Sequence, residues 1–290
     1  MATEQTQVLG RALLTPAVAL LFIWMIVPLA MTIYFATLHY SLLDAETWSF
    51  VGLENFRYFL TDPAFLTALR NTLVLVGSVL AITILLGTPL ALLLDQQVVG
   101  RSVVRLMVIA PFFVMPTVSA LIWKNLLMHP VQGLFAWLTG LVGMRPIDWF
   151  ADAPLTAIVI IVAWQWLPFS TLILLTAIQS LDEEQKEAAE MDGTPPLSFF
   201  FYIVLPHLAR PITVVILIQT IFLLNVFAEI LVTTGGGPGN LTTNIPFLVY
   251  AQALLQFDVG GASAGGIVAV VLANIVAFFL VRMIGRNLEA

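Results

Sequence analysis

Six long apolar stretches, residues 13–38, 72–94, 106–127, 155–178, 212–232 and 262–284, take up about half of the chain. A helix needs roughly 20 mainly apolar residues to cross the hydrocarbon of a bilayer. Inside lipid the backbone must satisfy its own N–H and C=O groups, which an open strand edge cannot do. The sequence therefore predicts an all-α integral membrane protein with six transmembrane helices. Composition agrees, with 60% hydrophobic residues, 10% charged residues and a mean hydropathy of +1.01, values incompatible with a soluble surface. The 290 residues include no Cys, which excludes disulfides and thiolate metal sites. His39, His129 and His207 stand singly at segment ends without metal-ligand spacing. No basic stripe points to nucleic acid.

The formal charge of −6 says less than the position of the basic residues. With both termini in the cytoplasm, that side collects Arg11, Arg101, Arg105, Lys186, Arg210, Arg282 and Arg286, against Arg57, Arg70, Lys124 and Arg145 outside. The excess favours this orientation. The first stretch contains Pro16 and Pro28 and lacks a small-residue cleavage site, so it is expected to remain as an anchor. No linker or repeat is evident. One membrane domain over residues 1–290 is expected, with 1–66 as first span and external segment and 67–286 as the core. The outer connections, about residues 39–70, 128–154 and 233–261, carry Trp48, Trp137 and Trp149, placed as interfacial anchors or as a docking surface.

Between the fourth and fifth stretches lies a polar insert. Ser180-Leu181-Asp182-Glu183 has the spacing of a capping box, so a helix is expected to begin near Leu181. Asp182, Glu183 and Glu184 suit the positive end of its dipole. Gly193 supplies a residue able to take positive φ and end it. Thr194 and Pro195 restart a second helix as cap and first residue, and Pro206 is expected to limit that helix. Ala188 and Ala189 permit close approach of another backbone, and Glu187 offers a carboxylate to a basic partner. An acidic run that merely links two spans is the alternative.

The order Glu187-Ala188-Ala189, three residues ending in Asp192, Gly193, then a hydrophobic run to Leu205-Pro206, resembles the EAA loop of ABC-importer permease subunits. Two further segments, Gly52-Leu53-Glu54-Asn55-Phe56 and the run from Asn225-Val226-Phe227 through Thr234-Gly235-Gly236-Gly237-Pro238 to Tyr250, are similar to carbohydrate or polyol importers of the maltose-transporter type. The resemblance implies a coupling helix formed by Glu187, Ala188, Ala189, Asp192, Gly193 and Pro206. It also implies a second homologous permease subunit, two copies of a cytosolic ABC ATPase, an extracytoplasmic solute-binding protein and a bacterial inner-membrane location. ATP and Mg would be bound by the ATPase partners, and this chain would need no cofactor of its own.

Residue chemistry is consistent with a non-catalytic subunit. A P-loop needs Gly-Lys followed by Ser or Thr, and the only lysines are Lys124 and Lys186. Gly261-Ala262-Ser263-Ala264-Gly265 matches a nucleophile elbow formally but lacks its strand, His and acid. Small residues there read better as close helix packing. Gln219, Asn225 and Glu229 fall on one face of a continuous helix and are expected to line an aqueous path. Asn225 and Glu229, with Trp164 and Gln165 near Pro168, supply the amides, carboxylate and ring that a hydroxyl-rich solute needs. Interhelical hydrogen bonding is the alternative use for such groups. A self-contained secondary transporter is the competing function, and mid-span ion-coupling residues are scarce.

Overall fold

The computed structural model describes residues 4–96 and 100–288. The extreme ends of the expected single domain, residues 1–3 and 289–290, lie outside them. Along the chain run α1 (Glu4–Ala36), β1 (Leu38–Ser41), β2 (Asp44–Phe50), α2 (Glu54–Thr61), α3 (Pro63–Asp95), α4 (Arg101–Ile109), α5 (Pro116–Ile122), α6 (Leu134–Leu141) and α7 (Trp149–Asp152). They are followed by α8 (Pro154–Gln179), α9 (Glu183–Met191), α10 (Pro196–Phe199), α11 (Leu205–Leu223), α12 (Ala228–Thr233), α13 (Ile245–Tyr250) and α14 (Val259–Leu288). Among the described residues, five helical stretches are long and apolar enough to cross a membrane, and a bent pair makes a sixth candidate.

The chain divides into two compact units. The first comprises the residues up to Asp62 together with Val249–Val271. Side chains 13–31 of α1 are all exposed, so this helix needs lipid or another protein around it. After α1 the expectation of an all-α chain fails. Leu38–Ser41 and Asp44–Phe50 pair as an antiparallel hairpin. The hairpin lies in the connection between the first two candidate spans, where water can serve an open edge. Asn55 fastens it by donating from Nδ2 to Ala36 O at 2.9 Å and Leu38 O at 2.8 Å. At the start of α14, Gly260 lies against the Leu38 carbonyl and Gly265 against the Phe59 ring, leaving no space for a Cβ. Ser263 sits inside α14, not on a strand-to-helix turn, so the small residues serve packing.

The second unit, Pro63–Leu248 with the end of α14, is organised on α8. This helix is apolar on all sides and is the most buried of the candidate spans, as a central helix must be. Gly87 of α3 brings the two backbones close, since a Cβ there would stand 3.2 Å from Ser170 Cβ. Beside this contact, fully buried Gln219 of α11 joins three helices. Its Oε1 accepts from Thr83 Oγ1 at 2.9 Å, and its Nε2 donates to Ser170 Oγ at 2.9 Å and Trp166 O at 3.1 Å. Gln219 therefore serves interhelical bonding instead of lining a path.

Two expected spans are not continuous helices. The third is broken between Phe113 and Pro116, with its halves bent by 106°. Pro116 provides no N–H and pushes Met115 to ψ 138°, outside the helical region. The fifth begins earlier than residue 212 and stops earlier than 232. Its helix runs from Pro196 through a π turn at Phe200–Val204 to Leu223. Pro206 consequently does not limit a helix. The π turn, closed by Leu205 N–H donating to Phe200 O, lets the chain pass Pro206 and continue.

Replacing Gln219 with Leu is expected to cost about 1–2 kcal/mol, because polar pairs in membrane bundles contribute roughly 0.6 kcal/mol on average and up to about 1.7. The check is the thermal unfolding midpoint in detergent. Gln219→Glu, which keeps the acceptor and loses the donor pair, should be destabilised as well.

Candidate functional site

The insert after α8 is built by strong local signals. Its cap is not Ser180 but Asp182, whose Oδ1 accepts from Glu184 N at 3.1 Å. Ser180 instead closes α8, donating from Oγ to Ala177 O at 2.7 Å. Two capping residues compete within one turn, and α8 ends late enough to take the serine. At the far end Gly193 has φ +65°. Gly193 N–H donates to Glu190 O and Thr194 N–H to Ala189 O, both at 3.0 Å, which is the Schellman pattern. The second cap is Pro195 with Pro196 as first helical residue, one position later than expected.

Helix α9 therefore stands between two fixed stops, with most of its surface open. Glu187, Ala188 and Asp192 are exposed, whereas Ala189 is turned inward. Met191 is 89% exposed, and with Ala188 it makes a small apolar patch edged by Glu184 and Glu187. The base of the insert is rigid. Leu181 packs into a core with Leu94, Leu174, Ile178, Val204 and Leu208. His207 Nε2 donates to Ala177 O at 2.9 Å, tying the start of α11 to the end of α8. From sequence alone His207 is a boundary residue. Its position just past the Pro206 step was the available signal.

The four residues expected along a solute path occupy different environments. Helix α11 stops at Leu223, so Asn225 and Glu229 do not share a helical face with Gln219. Asn225 is exposed and donates from Nδ2 to Ile221 O at 2.8 Å. Glu229 is buried in the first turn of α12. Gln165 donates from Nε2 to Val114 O at 2.8 Å, filling the bond lost at the Pro116 break, while its Oε1 is buried without a partner. Trp164 packs edge-on against Trp123, with centroids 5.7 Å apart. Trp149 joins that aromatic cluster through Phe135, whereas Trp48 and Trp137 are exposed.

From Leu224 to Asn244 the chain turns back on itself, and its polar residues supply the missing ladder bonds. Asn244 bridges Val226 O and Phe247 N. Asn71 donates to Asn240 O at 3.0 Å and Thr243 O at 2.9 Å, and Thr72 Oγ1 accepts from Ile245 N at 3.1 Å. Lys124 was expected in an outer position. It reaches α12 and donates to Val232 O at 3.1 Å and Thr233 O at 2.7 Å, where the negative end of a helix favours a cation. Gly236 has φ +86°, and a Cβ there would come within 2.7 Å of Thr243 Oγ1.

Comparison with known proteins gives a consistent picture. Residues 87–290 match the family described as the binding-protein-dependent transport system inner membrane component. A trehalose/maltose transport system permease protein from Thermococcus litoralis is 33% identical over 281 residues, covering 96% of this chain and 94% of the relative. A probable ABC transporter permease protein from Sinorhizobium fredii is 33% identical over 251 residues, 86% of this chain and 81% of the relative. Among solved structures, a chain of a bacterial ABC transporter that imports the acidic polysaccharide alginate superimposes with a TM-score of 0.79. That pair shares 23% identity and covers 97% of this chain and 96% of the other, a likeness of fold.

Gly193→Ala has open space around it, so its expected cost is the backbone strain alone, about 1 kcal/mol. Gly236→Ala adds a steric clash and is expected to cost several times more. Unfolding midpoints of the two variants in the same detergent test the contrast.

Proposed function

The chain belongs to the binding-protein-dependent transport system inner membrane component family, and from this membership we propose that it is a non-catalytic permease subunit of an ATP-driven sugar or sugar-alcohol importer. The observation that carries the coupling role is α9, a doubly stopped helix with an exposed Glu187–Ala188–Met191 surface on a rigid base. In this reading α9 seats in a cleft of a cytosolic ABC ATPase. Two ATPase copies bind the ATP and Mg, and a second homologous permease completes the membrane body. An extracytoplasmic binding protein delivers solute, and both termini of the multi-pass chain face the cytoplasm.

Force applied to α9 has a short route into the spans. The Leu181 core and the His207 bond make the ends of α8 and α11 move with the insert. Packed elements transmit displacement as bodies because interiors are dense and barely compressible. ATPase closure would thus change the relative tilt of α8 and α11. The sugar assignment is supported by the name of the Thermococcus litoralis relative. Asn225, exposed at the break after α11, is the path residue best placed to meet a solute hydroxyl. Gln165 and Trp164 shape the path from behind through the Val114 bond and the Trp123 contact, and Glu229 supports the turn it occupies.

The test is co-purification from the native membrane followed by ATP-driven uptake in vesicles. A tagged chain is expected to bring down an ATPase and a second permease. Met191→Glu, which puts a charge on the apolar patch, should reduce ATPase recovery and uptake at least tenfold while leaving membrane insertion unchanged. Uptake that persists without any ATPase would instead favour a self-contained transporter.

A further inference from the structure

Helix α4 carries Arg101 and Arg105 one turn apart. Arg101 Nε and Arg105 Nη2 both donate to the Leu94 carbonyl in the last turn of α3, at 3.1 and 3.2 Å. With its amide oxygen turned toward them, Gln179 at the end of α8 accepts from an Nη2 of each arginine at 2.9 Å. The pair is thereby anchored at the end of the bundle from which α9 departs. Every acceptor it uses is neutral. Among the described residues neither guanidinium has a carboxylate at ion-pair distance. Two like charges one turn apart repel, and carbonyl dipoles offset that only in part.

The outward side of the same helix is apolar. Val103, Leu106 and Met107 are exposed, the last two at 69% and 70%, and Phe113 follows beyond the helix end. The stretch Arg101–Phe113 lies at 106° to the following half, so it does not continue the direction of that segment. With its cations on the side turned to α3 and α8 and an apolar exposed face on the opposite side, α4 has the form taken by helices lying in a membrane interface.

We propose that α4 docks an anionic phospholipid, its phosphate paired with Arg101 and Arg105 and its acyl chains covering Val103, Leu106 and Met107. The charge of the pair selects the headgroup, since a zwitterionic lipid brings a cation of its own. The proposal rests on the membrane placement given above for its leaflet, the cytoplasmic one, which also holds the anionic lipid.

Lipid binding by the intact purified chain is measured by native mass spectrometry, titrating phosphatidylglycerol and, separately, phosphatidylcholine. Wild type is expected to prefer phosphatidylglycerol. The double variant Arg101→Gln/Arg105→Gln should bind it about 25-fold more weakly, roughly fivefold per arginine, with phosphatidylcholine unaffected. A double Lys variant, which keeps both charges, should retain most of the preference. Should the double Gln variant not survive extraction, the single Gln variants carry the same comparison at about fivefold each. Equal binding of both lipids by wild type, or an unchanged preference in the Gln variants, overturns the proposal. So does a Gln variant that keeps its lipid but no longer recovers the ATPase, which would give the arginines to a protein partner. Because lipid is read on the chain itself, failure of ATP-driven uptake would sink the transport reading and leave this result standing.

Discussion

A polypeptide inside hydrocarbon has no water to fall back on, so every interruption of a helix must be repaired by the protein itself. Several of the buried polar side chains among the described residues make such repairs. Gln165 fills the bond lost at Pro116, Lys124 closes the end of α12, and Asn71, Thr72 and Asn244 hold the turn that follows α11. The breaks are affordable only because those side chains sit on neighbouring helices at the right height. This explains how a chain so poor in charge can contain two interrupted spans and still fold.

The same economy separates the two ends of the second unit. At one end, broken helices and a Gly-rich turn are held by amides, hydroxyls and one ammonium group. At the other, where the insert leaves α8, an apolar core and short helix caps are joined by the His207 bond and the arginine pair. The first arrangement holds irregular backbone in place, and the second gives α9 the stiff base that the proposed coupling role requires. An importer subunit driven from one side needs both, because a soft lever would absorb the displacement that a gated path must receive.

Polar residues in an apolar segment invite assignment to a transport path, but the shared helical face that invited it here does not form. Gln219, Asn225 and Glu229 look like one face if the fifth stretch is a single helix. The helix ends at Leu223, which sends the three into a buried knot, an exposed turn and a packed first turn respectively. Membrane bundles use amides for cross-linking as readily as for solute contact. Spacing alone cannot tell these uses apart, since both require a side chain that faces the interior.

Local signals fixed much of this protein without help from tertiary structure. Long apolar stretches determined that it is a helical membrane chain, because lipid allows few alternatives. Gly193 with its upstream acids determined a short stopped helix, because left-handed φ and the helix dipole act over a single turn. The Glu-Ala-Ala-to-Gly order pointed to the family. Packing decided the rest: which of Ser180 and Asp182 caps α9, whether Pro206 ends a helix or is absorbed by a π turn, and that Lys124 and His207 hold other helices in place. The last two depend on partners 30 to 109 residues away in sequence, which no local window contains.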